Sequence, residues 1–273
     1  MTIPASGIHK ISDREYFAID LPSSSSTKVL IGGTNAHLAF QREEVREEND
    51  AFVVGAYVHA LLLDPTSVEE NFIKVGDIDR RTTVGKAEWA LVQTRAARNG
   101  ARILTRDLRE QGDAMAAAVR ANPAAATLIN TMSDTEVSIV GEIGGRPAKC
   151  KVDGIIRMAG ACIVIDVKTT ESAAPRDFAA SAAKFGYFHQ AAFYRRLVEQ
   201  YVSVVDDYII LAVEKKAPYL TAVYRVPSLA IESADHGIDK LVNRWWAVHD
   251  GDRTGYGDTI QDLEPPRWWL TQE

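Results

Sequence analysis

The sequence predicts an α/β fold in which a largely helical N-terminal region is followed by strands and a helix, and then by a C-terminal helix and tail. Two patterns carry that reading. Up to about residue 130 the apolar residues fall in capped, helix-length segments, whereas from Asp134 they alternate in strand-length runs punctuated by glycines. Composition supports an ordered chain with a large core: 273 residues, 46% hydrophobic and 25% charged. The expected organisation is one domain over 1–273, with 1–130 helical, 131–226 the sheet and helix, and 227–273 the last helix and tail.

Each element has a local reason. Residues 1–26 end in PSSSS, a loop or helix entry. Ser26 or Thr27 can cap a helix through Phe40, with the charge-rich QREEVREEND as its solvated extension or the following loop. From Ala51 to Leu63, AFVVGAYVHALLL is apolar nearly all round, which predicts a buried helix ended by Asp64-Pro65. A basic loop and a helix from about Val84 follow, closed by Gly100 at a C-cap position. The next helix spans about Thr105 to Arg120, with Thr105 as N-cap and Asp107 in its first turn. The stretch EVSIVGEIGGRPAKCKVDGIIRMAGACIVIDVKTT, broken at Gly144-Gly145 and Ala159-Gly160, reads as a three-stranded antiparallel meander. A long helix over about Pro175 to Gln200, the strands DYIILAVE and LTAVYRV, and a helix over Ser228 to His249 precede the irregular tail.

Bulk properties exclude some functions. The net charge of −6 argues against a broad DNA-coating surface but leaves room for a local basic channel. No run reaches the roughly 18 apolar residues of a membrane span, and the N-terminus lacks a secretory layout, so a cytoplasmic protein is expected. Cys150 and Cys162 are the only cysteines and form no C-x-x-C pair, which leaves zinc and disulfide frameworks without support.

The chemistry concentrates in VIDVKTT. Asp166 and Lys168 share one strand face inside a hydrophobic run, and the neighbouring strand ends AKCKVDG, bringing Asp153 alongside. Two carboxylates on rigid strands make a hard oxygen site of the kind Mg²⁺ or Mn²⁺ prefers, and the ammonium can neutralise a scissile phosphate. On a surface strand the same spacing is an ion pair worth at most about 1 kcal/mol. The apolar flank CIVI favours a site, because burying such charges is costly without a metal or substrate to compensate.

KVDG, VIDVKTT and YFHQAAFY, with GAYVHALLLDP, RRTTVGKAEW and STKVLIGGTNAHLAF upstream, resemble the PD-(D/E)xK nuclease superfamily, and within it the RecE-type exonuclease VIII group of phages and prophages. The likeness spans about residues 26–200. It implies a restriction-endonuclease-like core, with a mixed central sheet flanked by helices. Asp153 and Asp166 would be the acidic metal ligands, the backbone carbonyl of Val167 would complete the inner shell, and Lys168 would orient or help deprotonate the attacking water. Asp166 stands where many members carry Glu.

His59 matches a histidine that relatives place beside the metal, although a lone His on an apolar helix also serves as a core hydrogen-bonding residue. Its imidazole suits Mn²⁺ better than Mg²⁺. Gln190 and Tyr194 share a helical face and match a Q-x-x-x-Y motif that borders the site; Tyr194 reads equally well as a core tyrosine. Glu136 falls where the family often has an acid near the metals, or is an exposed edge residue. Arg80, Arg81 and Lys86 are candidates for gripping the DNA backbone, or a solvated loop; Trp89 would stack on a base or pack in the core.

The resemblance further implies a Mg²⁺-dependent 5′→3′ exonuclease on double-stranded DNA ends, a homo-oligomeric ring, a RecT-type single-strand annealing partner and no membrane. A RecB-type endonuclease cutting single strands or flaps is the second reading, and an inactive DNA-binding or docking domain the third. Two cysteines rule out the four-cysteine iron–sulfur version of the second. Trp245, Trp246, Trp268 and Trp269 serve either packing or an interface.

Overall fold

The computed structural model describes residues 4–44, 49–158 and 160–270. Residues 45–48 of the expected solvated extension, and Ala159 of the expected turn, lie outside the described residues. Strand β1 (Gly7–His9) and helices α1 (Asp13–Ala18) and α2 (Ser24–Thr27) lead through a 3-10 turn, Lys28–Ile31, to α3 (Asn35–Glu43). The single helix expected from Ser26 to Phe40 is therefore broken at Gly32-Gly33. Thr34 starts the new helix by accepting the His37 N–H on its hydroxyl.

Helix α4 (Asp50–Leu63), capped by Asn49, is the expected buried helix. After it come α5 (Val68–Asn71), β2 (Phe72–Lys74), α6 (Thr83–Asn99), β3 (Arg102–Leu104), α7 (Arg106–Ala121) and α8 (Pro123–Thr131). Only Gly85 and Ala96 of α6 are buried, so this helix stands largely in solvent. Gly85 is required there: a Cβ would lie 2.1 Å from the Asp79 carbonyl oxygen, which folds back over the first turn.

The second half contains β4 (Asp134–Ile143), β5 (Arg146–Met158), β6 (Ala161–Thr170), α9 (Pro175–Lys184), α10 (Tyr187–Tyr201), β7 (Asp207–Glu214), β8 (Thr221–Arg225), α11 (Ser228–Asp235), α12 (Ile238–His249) and the short α13 (Arg267–Leu270). The helix expected over 175–200 is two, split at Phe185-Gly186, where Gly186 has φ +69. The helix expected over 228–249 is likewise split at His236-Gly237. The main sheet has the order β1-β4-β5-β6-β7-β8. Strands β6 and β7 run parallel through the α9–α10 crossover, and the other neighbours are antiparallel, so the sheet is mixed.

Helices cover both faces. One core gathers Ile139, Cys150, Val164 and Tyr208 under α10, α11 and α12, with Trp245 buried among them. The other gathers Ile165, Val167, Leu211 and Met115 under α4, α7 and α8. Alternation along β6 therefore sends Ile165 and Val167 to the α4 side and Val164 and Asp166 to the α10 side. Trp246 is half-buried and donates to the Pro147 carbonyl, Trp269 is exposed, and the side chain of Trp268 lies outside the described residues.

The N-terminal segment is pinned by a buried cation. Lys149, 5% exposed, donates to the carbonyls of Tyr16 and Ile19 at 2.6 Å each. Burial lowers its amine to about 8. Among the described residues no helix is long and apolar enough to cross a membrane.

Candidate active site

The ladder between β5 and β6 runs from Met158↔Ala161 to Gly154↔Ile165 and stops there. Both strands continue past that pair, and the next residue on each is an aspartate, Asp153 and Asp166. Asp153 holds the fork with its side chain: the Val167 N–H donates to Asp153 Oδ2 at 2.7 Å.

Across β5, the β4 backbone is kinked. Glu136 adopts φ +54, a left-handed conformation that is unfavourable for a residue with a Cβ. The β4–β5 register skips it, pairing Thr135 with Gly154 and Val137 with Val152. Alternation slips at the same level on β5, because Val152 and Ile155, three apart, face the same core. Helix α4 supplies His59, whose Nδ1 lies 3.5 Å from Asp153 Oδ2. Donor atoms of His59, Glu136 and Asp153 all lie within 4.8 Å of one another. One imidazole and two carboxylates fit a divalent cation, and the nitrogen donor suits Mn²⁺ as well as Mg²⁺.

Asp166 is 1% exposed and is held from two sides. The Gln190 side-chain amide donates to its Oδ1 at 2.6 Å, and Lys168 Nζ lies 2.5 Å from its Oδ2. Burial, the leading cause, pushes the Asp166 carboxyl up against the pull of Lys168. Burial also pulls the Lys168 amine down, but Asp166 and Asp153 outweigh it and leave that amine above its ordinary value. Lys168 is thus a proton-bearing cation at neutral pH, suited to donating a hydrogen bond and stabilising negative charge. Its Nζ also lies 5.1 Å from the centroid of the Tyr187 ring.

The structure therefore gathers His59, Glu136 and Asp153 into one donor group, with Asp166, Lys168, Val167 and Gln190 linked beside it. Tyr194 is partly buried against the α10-side core, and among the described residues its hydroxyl bonds no group of the site. Arg80, Arg81 and Lys86 lie elsewhere. Arg80 and Arg81 line a cavity of about 870 Å³ with Trp89, Arg102, Arg106 and Asp77, and none of the acidic centre's residues lines it. The Arg80 guanidinium sits 4.6 Å from the Trp89 ring centroid, Arg81 pairs with Asp79 at 3.1 Å, and Lys86 is exposed.

Two site residues escape the sequence reading. Lys151 Nζ lies 2.5 Å from Glu136 Oε2 and also pairs with Asp13 of α1. Burial pulls the Lys151 amine down, yet Glu136 and Asp13 leave it raised overall. The i, i+2 spacing to Asp153 was its only local signal. Tyr187 is the other: it precedes Gln190 by three residues, one step along the same helical face.

The family model for a PDDEXK-like domain of unknown function (DUF3799) matches residues 23–258, a span that runs from before His59 to beyond Tyr194. The chain belongs to this PDDEXK-like family. Membership places it in the PD-(D/E)xK nuclease superfamily, in keeping with the mixed sheet described above. The crystal structure of a Eubacterium rectale protein named provisionally as an exonuclease matches with a TM-score of 0.62 at 16% identity, covering 97% of this chain and 99% of that one. This likeness shows the fold. Weaker matches are the protein SSO0001 (TM-score 0.31, 20% identity, 73% of this chain and 88% of that one) and VC1899 from Vibrio cholerae (0.24, 10%, 90% and 60%). No curated protein matches the chain in sequence.

Proposed function

We propose that this PDDEXK-like protein is a metal-dependent deoxyribonuclease of the RecE type, a 5′→3′ exonuclease that removes one strand from linear double-stranded DNA ends. The observation that supports it most is the buried Asp166 carboxylate, held by the half-buried Lys168 and Gln190 beside the donor group of His59, Glu136 and Asp153. Buried charges of this kind are costly to maintain without a ligand to neutralise them.

His59, Glu136, Asp153 and Asp166, with the Val167 carbonyl, would hold the cation, Mg²⁺ or Mn²⁺. When bound, such an ion supplies Lewis-acid polarisation of the phosphodiester and of water. The chain's own residues do the rest. Gln190 fixes the Asp166 carboxylate from one side, and Lys168 faces it from the other. The Lys168 ammonium is placed to donate to a phosphate oxygen and to stabilise the charge that accumulates as the bond breaks. Arg80, Arg81 and Lys86 take the DNA backbone further out, and the product strand passes to a RecT-type annealing protein from a ring of several copies.

Incubating purified protein with linear and closed-circular duplex, in Mg²⁺, Mn²⁺ or EDTA, tests the reading. Loss of linear DNA alone, with metal required, is the expected result, and an end-labelled duplex then reads the polarity. Cutting of both forms would make the protein an endonuclease, and no cutting with either metal would remove the catalytic reading.

A further inference from the structure

The break between α9 and α10 presents an aromatic step that no assigned role uses. Phe185 is 43% exposed at this corner. Lys28 Nζ lies 5.0 Å and Lys184 Nζ 5.7 Å from its ring centroid. The ring is 6.1 Å from that of Tyr187, and the Tyr187 ring is in turn 5.1 Å from Lys168 Nζ. An aromatic path flanked by cations thus leads from the surface to the buried Asp166–Lys168 pair within three contacts.

We infer that Phe185 and Tyr187, with Lys28 and Lys184, form a binding surface for a single strand of nucleic acid at the mouth of the acidic centre. The chemistry specifies the ligand class. An exposed ring offers a stacking face to an unpaired base, and the Lys28 and Lys184 ammonium groups that lie over it would swing off the ring to meet the adjoining phosphates as the base stacks. Within a duplex the base faces are covered by their stacked neighbours, so a ring that stacks on successive bases takes an unpaired strand or a splayed end. For an unpaired strand the basic cavity near α6 is a poorer match, since it lies apart from the acidic centre and its Arg81 and Arg106 each pair with an aspartate, Asp79 at 3.1 Å and Asp77 at 2.6 Å. Lys184 is exposed, and among the described residues its ammonium contacts the Phe185 ring rather than a carboxylate. The inference rests on the nuclease reading for its meaning, since it names the surface that delivers the strand.

The experiment is fluorescence anisotropy of a short labelled oligothymidylate with the full chain in EDTA, so that nothing is cut. Phe185→Ala should weaken binding about tenfold. Phe185→Leu keeps apolar bulk in the turn but removes the stacking face, and should lose as much; its melting curve checks folding. The double variant Lys28→Ala/Lys184→Ala should flatten the dependence of log Kd on log salt by about 1.4, from about 0.7 per phosphate contact on a single strand. A Kd within twofold of the parent for Phe185→Leu, an unchanged salt slope for the double variant, or no binding by the parent chain would each overturn the inference. Cutting assays separate the two claims. A parent that binds through Phe185 but never cuts overturns the nuclease reading alone; a parent that cuts while Phe185→Leu binds normally overturns this one alone.

Discussion

Replacing Lys168 with methionine tests the electrostatic core of the site without needing a substrate. The pair sits with Nζ 2.5 Å from Asp166 Oδ2, and Asp166 is 1% exposed. At that separation two unit charges attract by about 6–7 kcal/mol for an effective dielectric of 20. Desolvation of both ions takes back much of it, so the net value of the intact pair is small. Removing one partner is different: it strands a buried carboxylate whose remaining donor is Gln190, and the expected loss of unfolding free energy is about 3–5 kcal/mol. Asp166→Asn strands the ammonium and should lose a similar amount. The double variant Asp166→Asn/Lys168→Met strands neither, and should recover at least about 2 kcal/mol relative to the sum of the singles. Urea denaturation in EDTA, with m-values compared to confirm that only the midpoint moves, measures all three. Additive losses, or single variants within 1 kcal/mol of the parent (about a fivefold change in the folding constant), would show that the pair is not the coupled, buried unit argued here.

Lys168→Ala should lower kcat for duplex digestion by about 10²–10³ while DNA affinity stays within about threefold, read by single-turnover kinetics and anisotropy. His59→Ala and Glu136→Gln should each weaken Mn²⁺ binding at least about tenfold by calorimetry, and an unchanged titration for either removes it from the ligand set. Glu136→Gly should be more stable than Glu136→Ala by about 1 kcal/mol, because only glycine adopts φ +54 without strain; the ordinary order, alanine above glycine, would show no strain at that position. Lys149 supplies a pH signature. With its amine at about 8 when folded against the usual 10.5, the folded chain binds that proton less tightly, so a desolvation cost present below pH 8 is relieved as pH rises to 10.5. Unfolding free energy should therefore rise across that window by up to about 3 kcal/mol more in the parent than in Lys149→Met, and equal slopes would refute it.

What could be read from the sequence was local. The pairing of Asp166 with Lys168 follows from i, i+2 spacing, and the meander follows from alternation and a glycine pair, which are properties of neighbouring residues. The helix breaks were also written locally, in Phe185-Gly186 and His236-Gly237, but helical periodicity on either side hides a single interrupting glycine. Strands β2 and β3 are too short, at three residues each, for any periodicity to register. The rest of the centre is long-range. That β5 and β6 part after Gly154↔Ile165, while β6 stays paired with β7 on its other edge as far as Thr170, is a property of the assembled sheet, and nothing within VIDVKTT announces it. Glu136 looks like any strand glutamate, since its left-handed backbone is imposed by the sheet around it. Lys151 finds Asp13 more than a hundred residues away in sequence, a contact only the folded chain can make. His59 is the lone imidazole of a uniformly apolar helix, and it stands out by resemblance alone because nothing local marks that its side faces the strands.

The hydrogen bond from the Val167 amide to Asp153 has a practical side. Asp153 is mortar for the β-sheet as well as a proposed metal ligand, so truncating it to alanine would unseat masonry and chemistry together. Asparagine preserves an acceptor for the amide and discards only the charge. The contrast between those two replacements, rather than either by itself, tells a broken scaffold from a silenced enzyme.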